Sequence, residues 1–369
     1  PRLGKEGPCE AALDRALAAA RRAGDRRRAN TVLAIAPLAA LWGPSPVTRA
    51  SGRCLDVVRV LRITQGAPAV EAVALSCQGV LEALRGRTEA ARSMIASARK
   101  MVEELGITQR LLEADVSAGL VALLEGDAPA AERCLRGASH GLRDLGLGID
   151  AARAAALLAR TLLAQGRVED AEALSHESES LAGDDLKAAI AWRGVRAEAL
   201  ARRGDHAAAV EFASKAVELA AATDALLDHA DARLALAAAL RAAGRRSDAD
   251  AEERRARELW EAKGASLLAE HVRSDAARSE SPAAMPSRAL PPVARRRPAR
   301  PNFATEGARR LEAAVAARDV QVLASVYRSD VEIIDHPHGV TYGYEEIVAR
   351  LRSMIDDSKD TTLLHEPLA

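Results

Sequence analysis

The sequence predicts a mainly α-helical protein. A solenoid of stacked helical hairpins is followed by a linker and a small, incomplete α+β domain. Three observations carry this. Only 2% of the 369 residues are aromatic, too few for a β-sandwich or a base-stacking surface. Apolar burial then falls to alanine, leucine and valine, the composition of close-packed helices. Glycines at 86, 126, 166, 204 and 244 recur at intervals of 40, 40, 38 and 40 residues, and a fixed period outranks other fold signals. Finally, residues 273–301 carry six prolines without apolar periodicity, which separates a tail from the repeats.

The bulk numbers narrow the function classes. Basic and acidic residues balance at 52 each, so no whole-molecule field draws the chain to nucleic acid or to an anionic membrane. The abundance of arginine over lysine reads as codon bias rather than phosphate binding. Cys9, Cys54, Cys77 and Cys134 are scattered without a CxxC pair and read as reduced, buried small hydrophobes of a cytoplasmic protein, with no metal site. The longest apolar run, TVLAIAPLAALW at 31–42, is short of the ~20 residues a bilayer needs. No charged-then-apolar leader stands at the start. The chain begins at Pro1 without methionine and is expected to be a piece of a longer protein.

Taken in order, Gly24, Ala29 and Ala36 open the chain with the repeat's spacing. Leu17 stands there in place of the small residue expected seven before the glycine. The 62 residues from Gly24 to Gly86 are about one and a half repeats, which predicts an extra helix at 46–64, capped by Ser45 or Thr48 after WGPSP. Each of the five later glycines is followed five residues on by Ala91, Ala131, Ala171, Ala209 or Ala249. Twelve on stand Ala98, Ala138, Ser178, Ala216 and Ala256, and seven before stand Gly79, Gly119, Ala159, Ala197 and Ala237. Each glycine ends one helix and frees the backbone for a reversal. The small residues mark where two antiparallel helices cross, and stacking the next hairpin covers the open apolar face.

The stretch GDHAAAVEFASKAVEL at 204–219 resembles the second helix of a tetratricopeptide repeat. The resemblance implies a right-handed superhelix whose inner face binds peptides or partner domains and is lined by the first helix of each hairpin. Helical spacing from the turn glycines then points Arg153, Arg160, Glu198, Arg202 and Arg241 toward that face, as a charged groove suited to an acidic peptide or a neighbouring domain. The period near 40 and the missing aromatics mark a divergent member, of the kind found in large bacterial signalling ATPases. The repeat domain is expected to span 1–272.

The linker at 273–301 reads as a solvated tether. From 302 to 369 the pattern is helix, helix, strand at 331–335, turn, strand, helix, strand. SDVEIIDHPHGVTYGYEEI at 329–347 resembles the first half of a SnoaL-like domain of the nuclear-transport-factor-2-like superfamily. That implies a curved sheet around a small-molecule pocket, paired as a dimer when complete, with a small-molecule-binding or enzymatic role as the alternative function.

No phosphate loop stands in the chain, and no complete active site is legible. His140, His176, His206, His229 and His271 fall singly. Tyr327, Asp335, His336 and His338 form the one cluster with acid–base chemistry, but Pro337 places the histidines on an exposed turn. The order of repeats, linker and tail resembles the C-terminal region of bacterial multidomain regulators with a signalling ATPase module, adenylate or guanylate cyclase-like or LuxR-type. The resemblance implies ATP as a cofactor of the parent and none here. It also implies a non-catalytic interaction and sensor scaffold, whose partner is a protein, a peptide or the adjacent ATPase domain.

Overall fold

The computed structural model describes residues 4–64, 67–270, 317, 320–324, 332–335, 340–346, 348–349 and 352. Two compact units divide the chain, Pro1–Ala284 and Met285–Ala369. The described residues of the first unit form α1 (Glu6–Arg22), α2 (Arg26–Trp42), α3 (Val47–Ile63), α4 (Pro68–Leu84), α5 (Thr88–Glu104), α6 (Thr108–Leu124) and α7 (Ala128–Asp144). There follow α8 (Gly148–Ala164), α9 (Val168–Ala182), α10 (Leu186–Arg203), α11 (His206–Ala221), α12 (Leu226–Ala242) and α13 (Arg246–Lys263). The chain is helical again at 266–270.

The helices keep a 20-residue beat. From α4 to α8 each runs 17 residues, and three-residue turns join them. After α4, the N–H of Gly86 donates to Ala83 O and that of Arg87 to Glu82 O, both at 2.9 Å. This pairing closes the helix only if the glycine is left-handed, and its φ is +78°. Gly126, Gly166, Gly204 and Gly244 sit in the same region, at +79°, +79°, +91° and +78°.

The sequence reading missed every second turn. Gly106, Gly146 and Gly183, at φ +66°, +73° and +52°, end α5, α7 and α9 and lie between hairpins. Gly24 belongs with these, since it lies 82 residues, two repeats, before Gly106. Alignment with Gly86 had placed it half a repeat out of phase. The extra helix expected at 46–64 is α3. Its cap is Pro46, with no side-chain bond; the Ser45 hydroxyl donates instead to Glu10 Oε2 at 3.0 Å.

The small residues sit at the crossings. A Cβ on Gly119 would come within 2.5 Å of Leu135 Cγ, and one on Gly79 within 2.9 Å of Ile95. Ala159, Ala197 and Ala237 hold the equivalent place on later helices and are buried, as are Ala91, Ala131, Ala171, Ala209 and Ala249 opposite. With side chains this small the axes approach closely and dispersion replaces bulk as the source of cohesion. The even-numbered helices also pack on one another, α4 on α2 and α6, and α10 on α8 and α12. They form an inner row, and the odd-numbered helices lie outside it.

The ends of the array meet. The Asp224 carboxylate accepts from the N–H of Glu6 at 2.7 Å and of Gly7 at 2.9 Å, capping the first turn of α1 from 218 residues away in sequence. The Lys263 ammonium donates to the carbonyls of Ala40, Gly43 and Ser45 at 3.1, 2.7 and 2.7 Å, where the carbonyls of α2 run out of partners. Trp260 is buried in one cluster with Leu41, Val47, Val80 and Leu227. The solenoid thereby closes on itself as a ring.

In the second unit the described residues form α14 (Val320–Ala324), β1 (Glu332–Asp335) and β2 (Val340–Gly343). The two strands pair antiparallel, with Asp335 opposite Val340, and helix follows at 344–346 and 348–349. The linker, Tyr327, His336 and His338 lie outside the described residues.

Candidate functional site

The inner row lines a cavity of about 810 Å³ that opens to solvent, within the range of small-ligand sites. Its lining follows the repeat. Thirteen residues before Gly126, Gly166 and Gly244 stand Glu113, Arg153 and Asp231; sixteen before stand Arg110, Asp150 and Asp228. Six before Gly166 and Gly204 stand Arg160 and Glu198. All of these face the cavity. Offsets of 16, 13 and 6 are spaced by three and seven, which keeps them on one helical face.

The wall has two characters. Leu41, Val73, Val80, Leu120 and Leu124 of α2, α4 and the end of α6 make it apolar on one side, with Trp260 and Leu268. The side built by α8, α10 and α12 is charged. There Arg160 reaches past α10 to Asp231 on α12 with two hydrogen bonds, of 2.5 and 3.4 Å. Arg153 holds Asp185, the N-cap of α10, through Nε at 3.0 Å and Nη2 at 2.5 Å. Lys187 takes both oxygens of Asp228 at 2.6 and 2.8 Å, and its ammonium lies 3.6 Å from the centre of the Trp42 ring.

Four of the five residues expected on the inner face, Arg153, Arg160, Glu198 and Arg202, line this cavity. Arg241 does not. It sits three residues before its glycine, an offset at which Leu123 and Leu163 touch both the cavity and the next helix, and its guanidinium turns to the hairpin partner, pairing with Asp250 at 2.8 Å and with Glu253, both on α13. Missed by the sequence reading were Arg110, Glu113, Asp150, Lys187, Asp228 and Asp231. All but Lys187 repeat the register of Arg153 or stand one turn before it, and that register was the signal that could have found them.

The electrostatics follow from enclosure. Burial, the largest cause, raises the pKa of Glu198; Arg160 and Arg202 pull it down and Asp231 adds to the rise. A third of its side chain remains open, where it lines the cavity. Burial likewise raises Asp150, against Arg153. Cys77 lines the apolar side with its thiol pushed well up by burial, and Cys54 is pushed up to about 12. Neither is a thiolate nucleophile near neutral pH. His229 accepts from Arg233 Nε at 3.1 Å, and burial with that guanidinium lowers its pKa. Among the described residues no group of three or more His, Cys, Asp or Glu could hold a metal ion, and no helix is long and apolar enough to cross a membrane.

No protein-family model matches the chain, and neither does any curated protein. Several solved structures are similar in fold. A Rap protein complexed with Competence and Sporulation Factor is 13% identical over 63% of this chain and 72% of its own, with a TM-score of 0.47. The apo form of the quorum sensor NprR from B. thuringiensis is 11% identical over 94% of this chain and 97% of its own, at 0.44. BtubC from P. vanneervenii is 16% identical over 67% of this chain and 95% of its own, at 0.42. Identities and scores this low carry no argument about function; that the chain is a tetratricopeptide-like stack of helical hairpins rests on its own repeat and helix order.

Proposed function

We propose that this chain is a non-catalytic interaction and sensor scaffold, and that its ring of inner helices holds a peptide or a short segment of a partner protein. The observation that carries this reading is the cavity, apolar on one side and charged on the other, built by one periodic face of the inner helices. Such a surface offers an occupant both burial and oriented polar partners. A larger ATP-binding regulator of the cyclase-like or LuxR type, a cytoplasmic location and a SnoaL-like tail belong to the same proposal. They rest on the sequence alone, with residues 329–347 as the support for the tail.

Trp42 and Trp260 line the cavity, so an occupant changes their fluorescence. Titration with a pool of short peptides is expected to shift the emission of the wild type. Ala191 of α10 also lines the cavity, and Ala191→Phe is expected to abolish the shift while the far-ultraviolet circular dichroism stays unchanged. Equal titrations of the two proteins would remove the cavity from the function.

A further inference from the structure

The charges that line the cavity are not satisfied evenly. Each cation has a partner: Arg110 donates to Glu113 at 2.6 Å, Arg153 to Asp185, Arg160 to Asp231, Lys187 to Asp228, and Arg202 to the carbonyl of Leu163 at 2.5 Å. The carboxylates are less well served. Glu198 accepts no hydrogen bond, and Arg202 stands 3.9 Å away. Asp150 accepts none either, with Arg153 at 4.0 Å. Glu125 takes Arg92 on one oxygen and leaves Oε1 buried without a donor. Trp260, 1% exposed, has an indole N–H without an acceptor. Every cation of the lining already has an acceptor, whereas Glu198 and Asp150 accept from none, so a donor would find free acceptors.

We propose that the occupant of this cavity is a basic peptide whose ammonium or guanidinium groups engage Glu198 and Asp150 while its aliphatic side chains pack on α2, α4 and α6. This rests on the reading of the cavity as a peptide site, and it reverses the acidic occupant expected from the arginines. Asp150 on α8 and Glu198 on α10 stand sixteen and six residues before their turn glycines, about 15 Å apart along the helix axis at 1.5 Å per residue; with about 9 Å between neighbouring helices the separation is about 17 Å. An extended peptide covers that distance in about five residues, and the reach of two lysine side chains lets cations four apart span it. Arg160 on α8, Arg202 on α10 and Asp231 on α12 face Glu198; with burial holding its pKa up, ionisation of this carboxylate is what a cation on it favours.

The test uses three alanine–leucine heptapeptides carrying lysine, glutamate or glutamine at the second and sixth positions, titrated into the full chain by calorimetry. The lysine peptide is expected to bind roughly tenfold or more tighter than the glutamine peptide. Its affinity is expected to weaken as pH falls through the acidic range. The combined Glu198→Gln and Asp150→Asn variant is expected to lose both the preference and the pH dependence, with its circular dichroism retained. A glutamate peptide that binds as well as the lysine peptide overturns the basic occupant and leaves the peptide site standing. Failure of all three to bind the wild type overturns the peptide site itself.

Discussion

From α4 to α8 the helices follow a 20-residue beat, and their glycine and alanine crossings recur one repeat on. Where α1 to α3 meet residues 223–269, the contacts are made once: Asp224 caps α1, Lys263 fills the carbonyls that end α2, and Trp260 plugs the apolar cluster between them. The first region draws its cohesion from close approach of backbones, the second from a few hydrogen bonds and one apolar cluster that sequence-distant residues must find. A repeat can be extended indefinitely by the first kind of contact; only the second kind closes it into a ring with an inside.

The largest expected effect is in the repeated region. Ala209 is fully buried beside Ala197, Ala213 and Ala239, so Ala209→Leu forces α10 and α11 apart. Overpacking of this kind costs ~1–3 kcal/mol, and the melting temperature is expected to fall by roughly 3–10 °C. An unchanged melting curve would mean that this crossing yields to bulk and that the small residues are not what sets the helix spacing.

At the seam the expected effect is no larger, and it is local. Lys263→Met leaves three carbonyls without a donor, a loss of roughly 1–3 kcal/mol. Hydrogen exchange should quicken in α1 to α3 and around Trp260 while α6 to α8 keep their protection; loss of protection throughout would show that the ring and the repeats are one cooperative unit. Burial is the main cause that lowers the Lys263 pKa from 10.5 to about 8. Between those values the unfolded chain binds the proton and the folded protein does not, so this residue adds stability as pH rises through the window. The margin of the wild type over Lys263→Met should be flat below about 8 and widen from there to 10.5, as read by urea titrations across that range. A margin that narrows would mean the ammonium, not the amine, is the form the seam favours.

The two regions also differ in how far the sequence discloses them. Gly86 and its successors stand out because they recur, and the alanines at fixed offsets mark the crossings without any knowledge of the third dimension. The same arithmetic reached Arg160 and Glu198, which share one offset. It stopped short of Asp231, although Asp231 repeats the offset of Arg153, because a charge alone does not announce that its partner lies two inner helices away. Asp224 and Lys263 leave no trace at all. Their partners lie more than 200 residues off, and a contact made once has no period.

Within the cavity, Asp231→Asn removes the two-bond partner of Arg160. Both side chains are more than a third open to the cavity, so the expected loss is about 1 kcal/mol, seen as a small drop in the urea midpoint. It also frees a guanidinium beside Glu198. The lysine peptide should then bind less well, because Arg160 can turn to the carboxylate the peptide needs. Unchanged affinity would separate Glu198 from the site that peptide occupies.

The smallest expected effect tests the register itself. Arg241 is the one predicted inner-face residue that turns outward, and it is held by two carboxylates of α13 on the exposed side of the ring. Pairs of this kind contribute ~0.2–1 kcal/mol each and are weakened by salt. Arg241→Ala should therefore lower stability by about 1 kcal/mol or less, by less still at high salt, and leave peptide affinity unchanged. Arg202, one helical position away in the repeat, lines the cavity and donates to Leu163 across the α8–α10 boundary. Arg202→Ala should change peptide affinity at equal or smaller cost to stability. If both alanine variants bound peptide like the wild type, the inner face would end short of the last turn of these helices; if Arg241→Ala weakened binding, the face would extend round to α13 and the cavity would not be the whole of the site.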